Sequence, residues 1–145
     1  MDYVKPAELI NYSLQAAENK ASLPLRDLLV RGFLAGAFLG YATSLTIIIR
    51  AQGLPPFVGA AVFPVGFVLL VLLGLELATG NFVLLPIGIA DRRVKWCQLW
   101  HNWSWVYLAN LIGSVFYGIL FFLSITSFGT EDGGTSAELV RQIAE

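Results

Sequence analysis

One apolar stretch decides the fold of this chain: LPPFVGAAVFPVGFVLLVLLGLELATGNFVLLPIGIA, residues 54–90. It carries a single charge, on Glu76. A straight helix needs about 20 residues to cross the hydrocarbon core of a bilayer. The stretch is therefore too long for one plain crossing, and two full crossings would need more residues and a turn. We predict that it crosses the membrane once and is interrupted on the way.

The composition of the whole chain also indicates a membrane protein. Of the 145 residues, 57% are hydrophobic and only 13% are charged, and the mean hydropathy is +0.70. A soluble domain carries about 25% charged residues because its whole surface must be hydrated. Two further stretches, 32–49 and 102–130, have no charge at all. We predict an all-α membrane protein whose membrane domain, residues 28–130, has three segments at about 28–50, 54–90 and 101–128.

The basic residues predict the orientation of these segments. Seven of them precede the first segment or follow the second, and two lie in the other connections: Lys5, Lys20, Arg26, Arg31, Arg92, Arg93 and Lys95, against Arg50 and Arg141. Because cytoplasmic loops are enriched in Lys and Arg, we place the N-terminus in the cytoplasm. Residues 1–27 then form an amphipathic helix in the cytoplasm or at the membrane interface, and residues 131–145 form an extracytoplasmic polar tail.

The predicted interruption is the octapeptide GLELATGN, residues 74–81. Two glycines, a carboxylate, a hydroxyl and an amide replace apolar side chains there. Non-helical backbone at membrane depth is tolerated only where protein buries it or a wet cavity receives it. Helix ends in broken segments present free N–H groups to anions. We predict a re-entrant turn that lines a transport pathway with Thr79 and Asn81, followed by a half-helix from about residue 81 to 90.

The carboxylate of Glu76 is the costly group of this turn. A charge inside the membrane is usually functional or paired, and a bare negative charge would repel an anion. We expect backbone N–H groups to bind the carboxylate behind the turn, or a proton to neutralise it, with Gly74 and Gly80 supporting the turn. Two alternatives stay open: Thr79 and Asn81 could be ordinary interhelical partners, and Glu76 could lie near the membrane interface.

Small residues predict how the other two segments pack. In a bilayer, small side chains at a spacing of four residues let helix backbones approach closely. One such set lies in the first segment and another, small or polar, lies in the third: Gly32, Gly36 and Gly40, and Asn110, Ser114 and Gly118. We predict a helix–helix contact at each set.

Two motifs resemble the formate/nitrite transporter family. Residues 74–81 resemble its signature, in which a glycine, an acidic residue, a leucine and an apolar residue precede Thr-Gly-Asn. Residues 102–113, NWSWVYLANLIG, resemble the start of its third helix, and the order of segments agrees along the chain. Two positions depart from the pattern. Leu75 replaces a small residue, and Ala78 replaces a bulky one, which is expected to alter the constriction of the pore.

This resemblance implies half of an aquaporin-like fold of two inverted three-helix repeats, assembled as a homopentamer with a pore in each protomer. It implies passage of formate, nitrite or hydrosulfide, as a channel or with a coupled proton. Thr79 would meet a pore histidine, Leu77 would supply an apolar residue of the loop, and Phe63 and Phe67 would form an apolar constriction. The family's second half supplies that histidine, a second broken loop and a lysine, and His101 matches none of them.

The half-length resemblance indicates a fragment, a truncated chain or a split half. A small protein that dimerises antiparallel is conceivable, but the seven-to-two bias of basic residues argues against it. A non-transporting membrane subunit that anchors or assembles partners is the alternative function. A single histidine, a single cysteine and no paired acids offer no catalytic set, so we expect no enzyme, cofactor or metal. The expected partners are the lipid bilayer, in a bacterial inner membrane, and a small monovalent anion, but no nucleic acid.

Overall fold

The computed structural model describes residues 5–145, apart from the side chains of residues 6 and 7. Residues 1–4 of the predicted N-terminal helix therefore lie outside the described residues. The described residues form helices and no strand: α1 Pro6–Ala21, α2 Leu25–Ala51, α3 Pro56–Val62, α4 Pro64–Leu72, α5 Ala78–Ala90, α6 Trp96–Ile125 and α7 Gly134–Ala144.

Two helices, α2 and α6, are long and apolar enough to cross a bilayer by length and composition. They have 27 and 30 residues, which corresponds to about 40 and 45 Å at a rise of 1.5 Å per residue. Helix α2 starts directly after Pro24. Helix α6 starts after Lys95, whose backbone N–H donates to the side chain of Gln98 at 3.0 Å. Both helices therefore extend beyond the apolar stretches into polar flanks.

Helices α2 and α6 pack with their backbones close together. The Asn110 side chain donates to the carbonyl of Gly32 at 2.8 Å, and the Ser114 hydroxyl donates to that of Gly36 at 3.2 Å. A Cβ atom on Gly36 would clash with the backbone of Asn110, and one on Gly40 would lie 2.8 Å from the Tyr117 ring. The predicted contact is therefore confirmed for the glycines of α2.

The matching surface of α6 differs slightly from the prediction. Gly113, which does not belong to the predicted set, is buried, and a Cβ atom there would clash with the carbonyl of Phe33 on α2. A Cβ atom on Gly118 would meet nothing within 4 Å. The contact on α6 therefore uses Asn110, Gly113 and Ser114, and the prediction for Gly118 is wrong.

The decisive stretch folds as α3, α4 and α5. Phe63 keeps helical dihedral angles between α3 and α4, so residues 56–72 form a nearly continuous rod of about 25 Å at 1.5 Å per residue. The helix stops at Leu72 and resumes at Ala78. The interruption thus covers residues 73–77 and is shorter than the predicted 74–81. Helix α5 starts earlier than predicted because the Ala78 N–H finds an acceptor in the side chain of Asn110, at 2.9 Å.

The two parts of this stretch have different neighbours. Helices α3 and α4 pack on α2, whereas α5 packs on α1 and α6. Glycines allow both contacts: a Cβ atom on Gly66 would lie 2.6 Å from that of Ala42 on α2, and one on Gly88 would lie 2.9 Å from that of Ala17 on α1. The interruption is therefore where the chain passes from contact with α2 to contact with α1 and α6.

Helix α1 is attached to the rest of the protein on one side. Leu14 and Ala17 are buried, and Arg93 in the α5–α6 connection links Glu18 of α1 to Asp91 through Nη1 at 3.5 Å and Nε at 2.6 Å. The hydrogen bond that Arg93 donates to Asp91, together with the negative charges of Asp91 and Glu18, raises the pKa of Arg93 above its ordinary value. Helix α7 packs against α2 and α6 but has no buried residue.

Candidate functional site

The turn at residues 73–77 has a defined backbone. Gly74 adopts φ +60°, a left-handed conformation that a residue with a Cβ atom adopts only at a cost. Leu77 is extended, with φ −106° and ψ 128°. The Asn110 amide of α6 accepts from the Ala78 N–H and donates to the Glu76 carbonyl, both at 2.9 Å. A single side chain therefore satisfies backbone groups on both sides of the interruption.

Glu76 is buried and paired. Only 4% of the residue is exposed, and its two carboxylate oxygens accept from Lys20 Nζ at 2.9 and 2.8 Å. Oε2 also accepts from the Asn81 amide at 2.8 Å. The predicted backbone N–H partners are wrong: the donors come from two side chains. A cation is needed because a carboxylate taken out of water is destabilising unless it is paired and hydrogen-bonded.

Asn81 and Asn102 continue the network behind the turn. Asn81 is fully buried, and its amide donates to the side-chain oxygen of Asn102 at 2.7 Å as well as to Glu76. The Asn102 amide donates to the carbonyl of Lys20 at 2.9 Å, and Trp103 Nε1 donates to the carbonyl of Asn81 at 3.2 Å. Within the described residues, Asn81 Oδ1 has no hydrogen-bond partner. The network joins α1, α5 and α6 at one point.

A cavity of about 500 Å³ lies beside the turn, against α1, α2 and α4. Its wall includes six of the residues predicted from the sequence: Phe67, Gly74, Glu76, Leu77, Gly80 and Asn81. It also includes two cations that the sequence does not predict at this place, Lys20 and Arg31. Charged and apolar side chains therefore share one wall next to the interruption.

Phe63 and Thr79 lie outside this cavity wall. The Phe63 ring packs edge-on against that of Phe67, with centroids 5.7 Å apart. Thr79 stands in the first turn of α5 on the exposed side of the helix, whereas Ala78 and Asn81 point into the interior. Phe63 is therefore connected to the cavity wall by its contact with Phe67. Thr79 is exposed.

Ala78 and Gly80 have surroundings that the sequence does not predict. Ala78 is buried against Leu28 and Val106 in the core between α2 and α6, where its small side chain fits the packing. Its effect on the constriction stays a prediction. A Cβ atom on Gly80 would meet nothing within 4 Å. Unlike Gly74, Gly80 is therefore not required by the turn as it stands in the described residues.

Three polar residues of this site cannot be recognised as such from the sequence. In the sequence, Lys20 counts only toward the bias of basic residues that predicts the orientation. Asn110 belongs only to a predicted helix contact, and Asn102 only to the motif that resembles the family. One signal points toward Lys20: Glu76 is the sole charge of its segment, and a buried carboxylate requires a cation. Nothing in the spacing, however, distinguishes Lys20 from Arg26 or Arg31.

The fold and the site define a class of protein: an all-helical membrane protein with an interrupted apolar segment. Side chains of two other helices hold that segment around its polar turn. Residues 7–145 match the formate/nitrite transporter family, and the chain belongs to this family. The match covers both the turn and the third segment, so the resemblance seen in the sequence is confirmed.

Individual relatives agree with this assignment. The chain is 40% identical over 127 residues to the uncharacterized transporter YrhG of Bacillus subtilis, and 36% identical over 135 residues to a probable formate transporter of Methanothermobacter thermautotrophicus. It is 33% identical over 133 residues to the formate channel FocA of Escherichia coli. These matches cover 83%, 86% and 85% of this chain but 48%, 48% and 45% of the relatives, so the chain spans about half their length. No solved structure matches it at a significant level.

Proposed function

We propose that this chain forms the N-terminal half of a transmembrane channel for small monovalent anions such as formate or nitrite. The observation that carries the proposal is the interruption at residues 73–77, which side-chain hydrogen bonds from Lys20, Asn81 and Asn110 surround inside an apolar segment. A helix that only anchors a partner has no need of a turn at this depth. Family membership and similarity to two relatives, a formate channel and a probable formate transporter, support the same substrate class.

The start of α5 offers a place for an anion. The backbone N–H groups of Thr79 and Gly80 have no acceptor within residues 5–145, and the exposed Thr79 hydroxyl adds another donor beside them. Free N–H groups and the positive end of the helix dipole favour a negative ligand. Thr79, with Asn81 behind it, is thus the proposed meeting point of the pathway with its substrate.

Apolar side chains would set the barrier of this pathway. Leu77 and Phe67 line the cavity, and Phe63 packs against Phe67. Hydrocarbon surfaces exclude water and hydrated ions, so an anion crosses them more easily as its neutral acid. This favours transport coupled to a proton, with the donors at Thr79 receiving the charged form on one side of the barrier.

The proposed architecture follows the same logic. Residues 56–90 form the second of three membrane crossings, with the turn at its middle. The N-terminus lies on the cytoplasmic side of a bacterial inner membrane. The fold would be half of an aquaporin-like pair of inverted repeats in a homopentamer. The accessible side of α5 that carries Thr79 would then face the inverted second half, which completes the pore.

Anion flux tests the proposal. The complete protein is reconstituted in liposomes, and uptake of labelled formate is measured for the wild type, Thr79→Val and the control Thr43→Val. Thr43 is exposed, and its hydroxyl donates to the carbonyl of Leu39 in its own helix. Losing a hydrogen bond to a charged group is worth about 1.5–3 kcal/mol, so Thr79→Val should lower uptake by about tenfold or more and the control should not. A wild type without flux would favour the non-transporting anchor, and unchanged flux in Thr79→Val would remove that residue from the pathway.

A further inference from the structure

Arg31 is a charged residue in the wall of the cavity beside the turn, and it has no role in the function proposed above. It lies in the second turn of α2, and its side chain is 41% exposed and lines the same wall as Lys20 and Glu76. By sequence it counts only among the cations of the membrane flank and has no part in transport. Its position in the structure makes it a second cation that an incoming anion could meet in this cavity.

Lys20 is not available to such an anion. Its ammonium group lies 2.8 and 2.9 Å from the two oxygens of Glu76, so its charge is balanced and two of its three N–H donors are engaged. Its side chain is only 20% exposed. The pair contributes little net charge to the cavity, and an anion would have to break it to reach the ammonium group.

Arg31 is available. Its one acceptor within residues 5–145 is Asp27 Oδ2, at 3.5 Å from Nη2. That carboxylate is shared, because Asp27 Oδ1 also lies 3.6 Å from Arg26 Nε. Two guanidinium groups therefore face one carboxylate, which leaves a net positive charge at this side of the cavity. Most of the five N–H donors of Arg31 remain open.

We infer that Arg31 binds the incoming anion and selects planar anions with two oxygen atoms over spherical or single-atom acceptors of similar charge. A guanidinium group presents parallel N–H donors in a rigid plane that matches a carboxylate in two-point contact, whereas an ammonium group acts as a point charge. Formate and nitrite have that planar two-oxygen shape. Hydrosulfide and chloride do not, and they gain from Arg31 only its charge.

The inference rests on the proposed transport function, and one set of flux measurements separates the two. Complete protein in liposomes is assayed with formate and with hydrosulfide, each below saturation, for the wild type and for Arg31→Lys, Arg31→Gln and Arg50→Gln. Arg31→Lys keeps the charge and the stem, so it preserves the fold and the pairing with Asp27. Arg50, an exposed arginine in the last turn of the same helix, does not line the cavity and serves as the matched control.

We expect Arg31→Lys to lower formate flux about five- to tenfold through a higher KM while hydrosulfide flux stays within about twofold, since only the two-point contact is lost. Arg31→Gln should lower both fluxes, and Arg50→Gln should change neither. An equal change of both fluxes in Arg31→Lys, or no change in either, would overturn the inference while leaving the proposed function intact. Absence of any flux in the wild type would overturn the proposed function itself.

Discussion

The α2–α6 pair and the interrupted segment α3–α5 are both apolar, but they are held in different ways. The pair is joined through backbone proximity: glycines on α2 and Gly113 on α6 bring the two main chains together. The interruption is held by polar side chains that reach it from α1 and α6. The contrast indicates that the pair is the scaffold, and that the turn is a feature maintained on it by a few specific contacts.

The difference follows from the solvent. In lipid, apolar surface gains nothing from association, so close packing of small residues holds helices together. A non-helical turn cannot be held in that way because its own backbone groups need partners at membrane depth. The side chain of Asn110 meets that need, and those of Lys20 and Asn81 pair with the buried Glu76 carboxylate. Substitutions in the two regions should therefore act differently, and four of them test the comparison.

The largest effect should come from Lys20→Met. Removing the cation leaves Glu76 buried and uncompensated, and loss of one partner of a buried ion pair typically destabilises a protein by about 3–5 kcal/mol. Equilibrium unfolding of the purified protein in mixed detergent micelles measures this change. The double variant with Glu76→Gln should recover most of the loss, and exposed Lys5→Met is the control. Equal stability of Lys20→Met and the control would show that the ion pair does not support the turn.

A somewhat smaller effect is expected in the scaffold. Gly36→Leu inserts a side chain where α2 and α6 have backbone contact, and overpacking costs about 1–3 kcal/mol; the backbone contact places this variant near the upper end of that range. Gly118→Leu has open space and should change the free energy of unfolding by less than about 0.5 kcal/mol. If both variants unfold at the same detergent composition, the close contact is not what holds the pair.

Asn110 belongs to both regions, which makes it a sharper probe. Asn110→Ala removes hydrogen bonds to Gly32, Glu76 and Ala78. Hydrogen bonds in membrane proteins average about 0.6 kcal/mol each, so we expect a loss of about 2 kcal/mol. Hydrogen exchange at the start of α5 should rise more than in the middle of α2. Uniform exchange in both places would contradict a local role at the turn, and exposed Asn11→Ala is the control.

The smallest effect concerns the backbone of the turn. Gly74→Ala must hold φ +60° with a Cβ atom, at a cost of about 1–2 kcal/mol. Gly80→Ala lies in a helix with open space and should be neutral or slightly stabilising. The two unfolding curves, recorded under the same conditions, decide whether the turn requires the left-handed backbone conformation of Gly74. Coincidence of the curves would mean that residues 73–77 relax without loss.

Local sequence patterns predict part of this structure well. The spacing of the α2 glycines predicts their contact because small residues leave a periodic signature on a helix. The polar octapeptide predicts that the segment is interrupted, since glycines and a charge inside an apolar run disfavour a continuous helix in lipid. The predicted start of α5 is three residues too late because its first N–H is satisfied by Asn110, which lies on another helix.

Contacts between distant positions cannot be predicted in the same way. Lys20 and Glu76 are separated by 56 positions, and neither spacing nor composition indicates which cation reaches the carboxylate. The partner of Glu76 and the inward direction of Ala78 depend on how α1, α2 and α6 are arranged. Such arrangements are set by three-dimensional packing, to which a single sequence gives no direct access. The role of Thr79 stays a prediction.

The pairing of Lys20 with Glu76 also bears on how the chain enters the bilayer. Alone, the Glu76 carboxylate would enter the membrane as an unpaired charge. Paired with the Lys20 ammonium group of the first helix, it enters as an ion pair without net charge. The first helix is then more than a surface appendage: by meeting the nascent turn, it would lower the barrier to burying that turn. Deleting it should therefore slow insertion of the turn as well as destabilise the finished protein.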